Sequence, residues 1–281
     1  MADTLLKHKG LTGFKQLGYD PVFEAGTQVF GDCIVCGAPK KMYVNPQTKM
    51  WCCKKCGGEG GMKTLMHQMN SIFVEAFSGR VAMTLSSNRG LSVRVLKKHG
   101  MGYNKLNDTY TLPIPSASGE DLWGIRVYKD RKLMSLSGDT AGLFGWDSIG
   151  SAKEIWLCEG EWDKMALEMM LAEEEIHDPV LAVPGAGTFK DDWKPYFKDK
   201  VVHVLYDHDE PGKKGTAKVY SQIKNVASKL DFIHWPEDKK EGYDVRDYKL
   251  ETDESSLDRL GALRKLLQEK PPVDPALIKQ A

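Results

Sequence analysis

Apolar positions along this chain change period three times, and each change predicts a different kind of element. Between Lys41 and Cys52 two short runs, Lys41-Met-Tyr-Val-Asn45 and Lys49-Met-Trp-Cys52, flank the turn residues Asn45-Pro-Gln-Thr48 and read as an antiparallel hairpin. Leu65, Met66, Met69, Ile72 and Phe73 then recur at helical spacing, predicting a helix from about Met62 to Ser78. After Gly79–Gly90, taken as a linker, Gly90–Tyr103 reads as a helix ended by glycines. Tyr110–Pro115 and Leu122–Tyr128 read as a second hairpin around Ser116–Glu120.

From Glu154 the pattern becomes short apolar runs separated by helix-length segments. Glu154–Cys158, Val180–Val183, Val201–Tyr206 and Asp231–Trp235 are the predicted strands; Asp163–Glu175 and Lys214–Lys229 are predicted helices. That alternation implies parallel pairing in a small α/β sandwich. An amphipathic helix is expected over Ser255–Glu269, followed by an extended tail from Lys270 to Ala281. The expected fold class is therefore α/β, with a small N-terminal cysteine module, a small α+β subdomain and a mostly parallel sheet flanked by helices. The expected division is 1–78, 79–150, 151–254 and 255–281.

The 281 residues are ordinary in composition, with 41% hydrophobic and 28% charged side chains and no net charge. No window approaches the ~20 apolar residues of a membrane span, and the first residues lack a secretory signal, so a cytoplasmic protein is expected. The zero net charge conceals an asymmetry. The first 150 residues carry 19 basic against 12 acidic side chains, and the remainder 20 against 27. A basic front half suits phosphate contact and an acidic rear half suits metal ions; solvated faces are the plainer reading of the same numbers.

Cys33-x2-Cys36 and Cys53-x2-Cys56 have the spacing at which two tight turns present four thiolates to one zinc ion. A disulfide framework does not suit a cytosolic chain. Cys52 neighbours Cys53, but only Cys53 keeps the two-residue spacing to Cys56; Cys158, in a predicted buried strand, reads as a small apolar residue. Tyr43 and Trp51 lie among Lys40, Lys41, Lys49, Lys54 and Lys55. Two readings stand: a stacking platform for single-stranded nucleic acid, or aromatic cover for a small zinc core.

Glu159 follows the first predicted parallel strand, Asp207 and Asp209 the third, and Asp244 and Asp247 the fourth. In such sheets ligands bind beyond the carboxyl ends of the strands. Clustered carboxylates call for hard cations, Mg²⁺ or Mn²⁺, two of which can activate a hydroxyl and stabilise a departing pyrophosphate. Taken alone, Asp207-His-Asp209-Glu-Pro-Gly212 would be only an acidic turn capping a helix.

Together these motifs resemble the zinc-ribbon/Toprim DNA primases: bacterial replicative primases and, more closely, the primase part of phage helicase–primases. The similarity runs from about Gly31 to about Tyr248. Glu159-Gly-Glu-Trp-Asp163-Lys-Met-Ala-Leu is similar to the family's E-G-x-x-D-x-x-A-L, Asp207-His-Asp209-Glu-Pro-Gly212-Lys-Lys214 to D-x-D-x-x-G-x-K, and Asp244-Val-Arg-Asp247 to D-x-x-D. Cys56-Gly-Gly-Glu-Gly-Gly61 is similar to the turn ending the family's ribbon. Bacterial members often place a His in the zinc set; here four cysteines stand, as in phage members. The resemblance implies a Toprim fold, primer synthesis from NTPs on a single-stranded DNA template, structural Zn²⁺, catalytic Mg²⁺ or Mn²⁺, and a bacterial or phage-infected cytoplasm. It makes Glu159 the catalytic acid or base, with Asp207 and Asp209 the main metal ligands and Asp244 and Asp247 secondary ones. Arg126, then Lys132 and Arg131, are the expected phosphate contacts of the middle segment, against the alternative of solvated edge-strand charges. Lys214 is favoured over Lys213 beside the metal motif. No G-x-x-x-x-G-K-[ST] occurs, so a helicase would be a separate partner or a separate domain. A Toprim nuclease and a non-catalytic single-strand-binding accessory protein are the competing readings; a topoisomerase would need a further strand-cleaving domain.

Overall fold

The computed structural model describes residues 9–116, 121–137, 141–252, 258–274 and 277–278. The chain divides into two compact units, one of Met1–Thr84 with Leu96–Ala141 and one of Leu85–Val95 with Gly142–Ala281. Among the described residues no helix is long and apolar enough to cross a membrane.

The first unit holds two antiparallel sheets. Five strands, β1 (Pro21–Ala25), β2 (Gln28–Gly31), β3 (Met42–Val44), β4 (Trp51–Cys53) and β5 (Glu59–Gly60), lie in chain order. The sequence reading had only β3 and β4. Yet Val22, Phe23, Val29 and Phe30 flank Gly26, whose φ of 61° lets the chain reverse between β1 and β2. One face of this sheet buries Val29, Met42, Val44, Trp51 and Cys53 against Leu11, Phe14, Leu17 and Leu65. Tyr19 anchors the same face, its hydroxyl donating to the carbonyl of Met42 at 3.1 Å. Leu65, Met66, Met69 and Phe73 supply the buried stripe of the helix Met62–Ala76, close to its expected bounds.

Gly79–Arg89, expected as a linker, is a helix; its buried positions are few, which is why periodicity did not reveal it. The helix expected over Gly90–Tyr103 covers only Val93–Lys98. Gly100, at φ 69°, ends it, and Gly102–Asn104 turns into a strand paired with Thr109–Pro115. That strand, Leu122–Lys129 and Lys132–Ser135 complete the second sheet, which contains the expected hairpin; most of its turn, 117–120, lies outside the described residues.

The second unit is built on β10 (Glu154–Cys158), β11 (Val180–Ala182), β12 (Val201–Leu205), β13 (Lys229–Ile233) and β14 (Leu267–Gln268), ordered 11-10-12-13-14. The first four are parallel, as their alternation with helices requires, and β14 is antiparallel at the edge. The expected C-terminal helix is shorter than its pattern suggests. Arg259–Lys265 is helical, 253–257 lie outside the described residues, and Leu267 and Gln268 leave the helix to pair with β13. Helices Glu161–Glu173 and Glu210–Ile223 begin just beyond β10 and β12. Both faces of the sheet are buried, one by Leu157, Leu181, Val204, Val219 and Phe197, the other by Trp156, Leu167, Met170 and Leu205. Every loop that leaves a strand's carboxyl end therefore emerges from a fixed frame.

Candidate functional site

Two turns of identical hydrogen bonding hold the four cysteines. Cys33 N–H donates to Ala38 O and Gly37 N–H to Cys33 O; Cys53 N–H donates to Gly58 O and Gly57 N–H to Cys53 O. Gly37 and Gly57 have φ of 71° and 74°, the left-handed conformation that closes each turn. The Sγ atoms of Cys33, Cys36, Cys53 and Cys56 all lie within 4.8 Å of one another, and Cys36 Sγ is 3.8 Å from Cys53 Sγ. Zinc–sulfur bonds of ~2.3 Å in a tetrahedron give an S···S edge of about 3.8 Å, so the set fits zinc. Burial works against ionisation of Cys53, but the N–H groups of Cys56 and Lys55 outweigh it and draw its thiol down to about 7. Burial drives the Cys33 thiol up, to about 12.

The opposite face of the ribbon sheet is open. Direct cross-strand pairing places Phe23, Phe30, Tyr43, Cys52 and Glu59 in one row across all five strands. Phe23 stacks on Phe30 and Phe30 on Tyr43, each at 5.2 Å between centroids and 23° between planes. Lys40 Nζ sits 4.8 Å over the Phe23 ring. Trp51 is on the other face, 3% exposed, with its indole N–H donating to Gly61 O at 3.2 Å. The two-residue period of a strand separates it from Tyr43's partner Cys52, so of the two aromatics weighed as a platform only Tyr43 faces outward. Phe23 and Phe30, which the sequence reading did not select, supply the rest.

At the carboxyl edge of the parallel sheet, Glu159 stands one residue past β10 and accepts the N–H of Asp207 at 3.2 Å. An antiparallel bridge between His208 and Tyr243 ties the loop carrying Asp207 and Asp209 to the one carrying Asp244. Asp209 Oδ1 caps the helix Glu210–Ile223 through Gly212 N–H at 2.7 Å, and Asp244 Oδ1 caps Val245–Glu251 through Asp247 N–H at 2.6 Å. Each cap engages one carboxylate oxygen. Asp247 is held apart by Lys240, 2.8 Å from its carboxylate. Asp163, present in the sequence motif but not chosen as a site residue, is buried here and accepts the N–H of Arg246 at 3.3 Å. Two guanidiniums balance the edge: Arg246 lies 3.4 Å from Asp244, and Arg89 lies over Trp162 with its charge opposing the shifts of Asp163 and Asp244. Nothing in the pattern around Arg89 marked it.

Burial, reinforced by Asp163, Glu159 and Asp244, pushes the Asp207 carboxyl up to about 10. Burial and Asp244 raise Asp163 to about 8, and burial with Asp209 raises Glu159 to about 7. Asp244 is raised as well, chiefly by burial. These acids cannot all ionise without a compensating charge, and their donors are all oxygens, which fits hard divalent cations. Their donor atoms are less tightly gathered than the sulfurs; among the described residues only the cysteines form a ligand set within 4.8 Å. Groups raised in this way stabilise the fold below their unfolded pKa of about 4 and withdraw that stability as pH rises through 7 to 10. Without added divalent ions the Tm should therefore fall between about pH 6 and pH 9, and Mg²⁺ should restore more at the higher pH. Differential scanning fluorimetry across that range checks this; a Mg²⁺ increment independent of pH would contradict it.

Gly212 has a steric reason. A Cβ there would lie 2.2 Å from the backbone oxygen of Asp207. Gly212→Ala should force the helix away from the Asp207 loop, costing roughly 1–3 kcal/mol in a urea titration; unchanged stability would show that the approach is not tight.

The other predicted contacts are dispersed. Arg126, on the strand Leu122–Lys129, donates to Ser135 Oγ at 2.7 Å and Leu133 O at 3.3 Å on the adjacent strand. Arg131 forms the tip of that hairpin with φ 65°, and Lys132 is exposed beside it. Lys214 lines a cavity of about 520 Å³ with Ala186, Gly187, Pro211 and Lys218.

No protein-family model and no curated protein matches this chain. Solved structures do. The zinc-binding and RNA polymerase domains of the Aquifex aeolicus primase are similar over 94% of this chain and 84% of theirs, at 16% identity and a TM-score of 0.54. The DnaG catalytic core is similar over 70% of this chain and 78% of its own, at 18% identity and 0.54. The primase fragment of the bacteriophage T7 primase-helicase is similar over 79% and 93%, at 18% identity and 0.50. An N-terminal four-cysteine ribbon, a mixed middle and a Toprim-like sheet edged with acids give this chain the fold of the DNA primases.

Proposed function

We propose that this chain is a DNA primase, a DNA-dependent RNA polymerase that makes short RNA primers on single-stranded DNA. What carries the reading is one conjunction: a zinc-fitting ribbon with an open aromatic face and a set of strand-end carboxylates occur in the same chain. The ribbon's Cys33, Cys36, Cys53 and Cys56 would hold Zn²⁺, and Phe30 and Tyr43 would stack with template bases while nearby lysines meet phosphates. Glu159, Asp207 and Asp209, with Asp244 beside them, would hold Mg²⁺ or Mn²⁺; bound there, the ions would lower the pKa of a primer 3′-hydroxyl and neutralise the departing pyrophosphate. Glu159 would take the attacking hydroxyl's proton or orient the ions, and Asp163 with Arg246 would fix the edge's geometry. Arg131, Lys132 and Lys214 would meet triphosphate or template phosphate; Arg126 would brace that hairpin, its guanidinium already spent on Ser135 and Leu133. Asp247 would act through its N–H on Asp244. Along the sequence we assign 1–78 to template binding, 79–150 to the polymerase's first part, 151–254 to catalysis and 255–281 to a C-terminal helix and tail.

The setting proposed is the cytoplasm of a bacterial or phage-infected cell. A replicative helicase is proposed as partner, in line with the joint primase-helicase naming of the T7 structure. The test is primer synthesis on mixed-sequence single-stranded DNA with labelled NTPs and Mg²⁺ or Mn²⁺. Oligoribonucleotides support the reading; cleavage of the DNA without them would replace it with a nuclease, and binding alone with an accessory protein.

A further inference from the structure

The aromatic row on the ribbon does not stop at Tyr43. Cys52 and Glu59 continue it, and beside them opens a cavity of about 440 Å³ lined by Gln28, Tyr43, Met50, Trp51, Cys52 and Glu59. Its floor is rigid, because Trp51 is fixed by its bond to Gly61 O and packs against the backbone at Gly58. Its polar rim is uncommitted: among the described residues neither the Glu59 carboxylate nor the Gln28 side-chain amide has a hydrogen bond or ion pair. An exposed carboxylate on a surface otherwise suited to phosphate weakens any purely electrostatic grip, so charge attraction does not account for its place at the end of a stacking row.

We propose that this cavity is a base-selecting site, in which Glu59 and Gln28 choose template bases that carry an exocyclic amino group and reject thymine. The proposal rests on the ribbon being the template-facing module. A carboxylate only accepts, so it can take the N4 amino of cytosine or the N6 amino of adenine. Thymine places carbonyl oxygens on either side of its single N–H, and both repel the Glu59 carboxylate. The Gln28 amide, donor and acceptor at once, completes the pairing with the neighbouring ring nitrogen or carbonyl. Tyr43, at the cavity wall, provides the stacking surface that holds a base in plane.

The experiment is fluorescence anisotropy of the zinc-loaded full chain with dC12, dA12 and dT12 at fixed ionic strength, for the wild type, Glu59→Gln and Tyr43→Ala. Wild type should bind dC12 and dA12 about tenfold more tightly than dT12. Glu59→Gln, which adds a donor without changing shape, should bring the three within about twofold, mainly by raising dT12 affinity. Tyr43→Ala should weaken all three together. Equal wild-type affinities overturn the proposal, as does a Glu59→Gln variant that binds every oligonucleotide tighter by the same factor, since that would be simple charge relief. If no oligonucleotide binds, the template-facing role of the ribbon fails with it; if primers are made and all three bind alike, only base selection fails.

Discussion

Asp207→Asn and Glu159→Gln should each lower primer synthesis by at least about 10³-fold while leaving the protein folded. The chemistry sets the size of the loss. An amide offers a divalent ion a neutral oxygen in place of a charged one, and it cannot take a proton from an attacking hydroxyl. The structure sets the second half of the expectation. Asp207 is pushed up to about 10 by burial and by Asp163, Glu159 and Asp244, so at pH 8 its ionised form is a cost to the metal-free fold. Removing that charge should leave the Tm in the absence of divalent ions unchanged or higher, and should shrink the Mg²⁺-induced rise. Glu159→Gln keeps a carbonyl oxygen to accept the Asp207 N–H, so the loop linkage survives. Primer yield and Tm, measured on the same preparations with and without Mg²⁺, separate this from a folding defect. Synthesis within tenfold of wild type in either variant would remove these carboxylates from catalysis. A fall in Tm large enough to account for the lost activity would make them structural instead.

The parts legible in the sequence were those with a short period or a fixed spacing. The parallel strands announced themselves as apolar runs of four to six residues, and their ends placed Glu159, Asp207 and Asp244 on one edge before any coordinates. The paired C-x2-C spacing defined the sulfur cluster in the same way. Face assignment within the ribbon was not legible from half of its sheet. With β3 and β4 alone, Tyr43 and Trp51 look equivalent; only the register, Tyr43 against Cys52 and Val44 against Trp51, sends them to opposite faces. Arg89 was hidden for a related reason. It ends a helix with few buried positions, taken as a linker, and reaches the acids through tertiary packing that no local pattern encodes. Asp163 looked like an ordinary first-turn acid of a helix; burial beside Asp244 and Arg246 is what changes its chemistry.

Cys33→Ser should abolish zinc binding and template-dependent synthesis, whereas Cys52→Ser should leave the zinc in place. The two cysteines differ in orientation, not in exposure to chemistry in general. Cys33 lies in the first turn, buried, with its sulfur inside the four-sulfur set, while Cys52 sits on the outer row between Tyr43 and Glu59. Structural zinc in small modules contributes about 10–16 kcal/mol of apparent binding free energy at neutral pH, more than the ~5–15 kcal/mol by which whole domains are stable. The ribbon's strands are two to five residues long, and losing the metal should free the turns at Gly37 and Gly57 that set their register. The aromatic row depends on that register, so single-strand affinity should fall with the zinc, by at least about tenfold. The parallel-sheet unit has its own core and should keep its cooperative unfolding transition. Metal analysis should give one zinc per chain for the wild type and Cys52→Ser, and none for Cys33→Ser. A Cys52→Ser protein without zinc would move the ligand set by one residue and reverse the faces of β4. Zinc-free Cys33→Ser that still primes at the wild-type rate would leave the ribbon with no part in template reading.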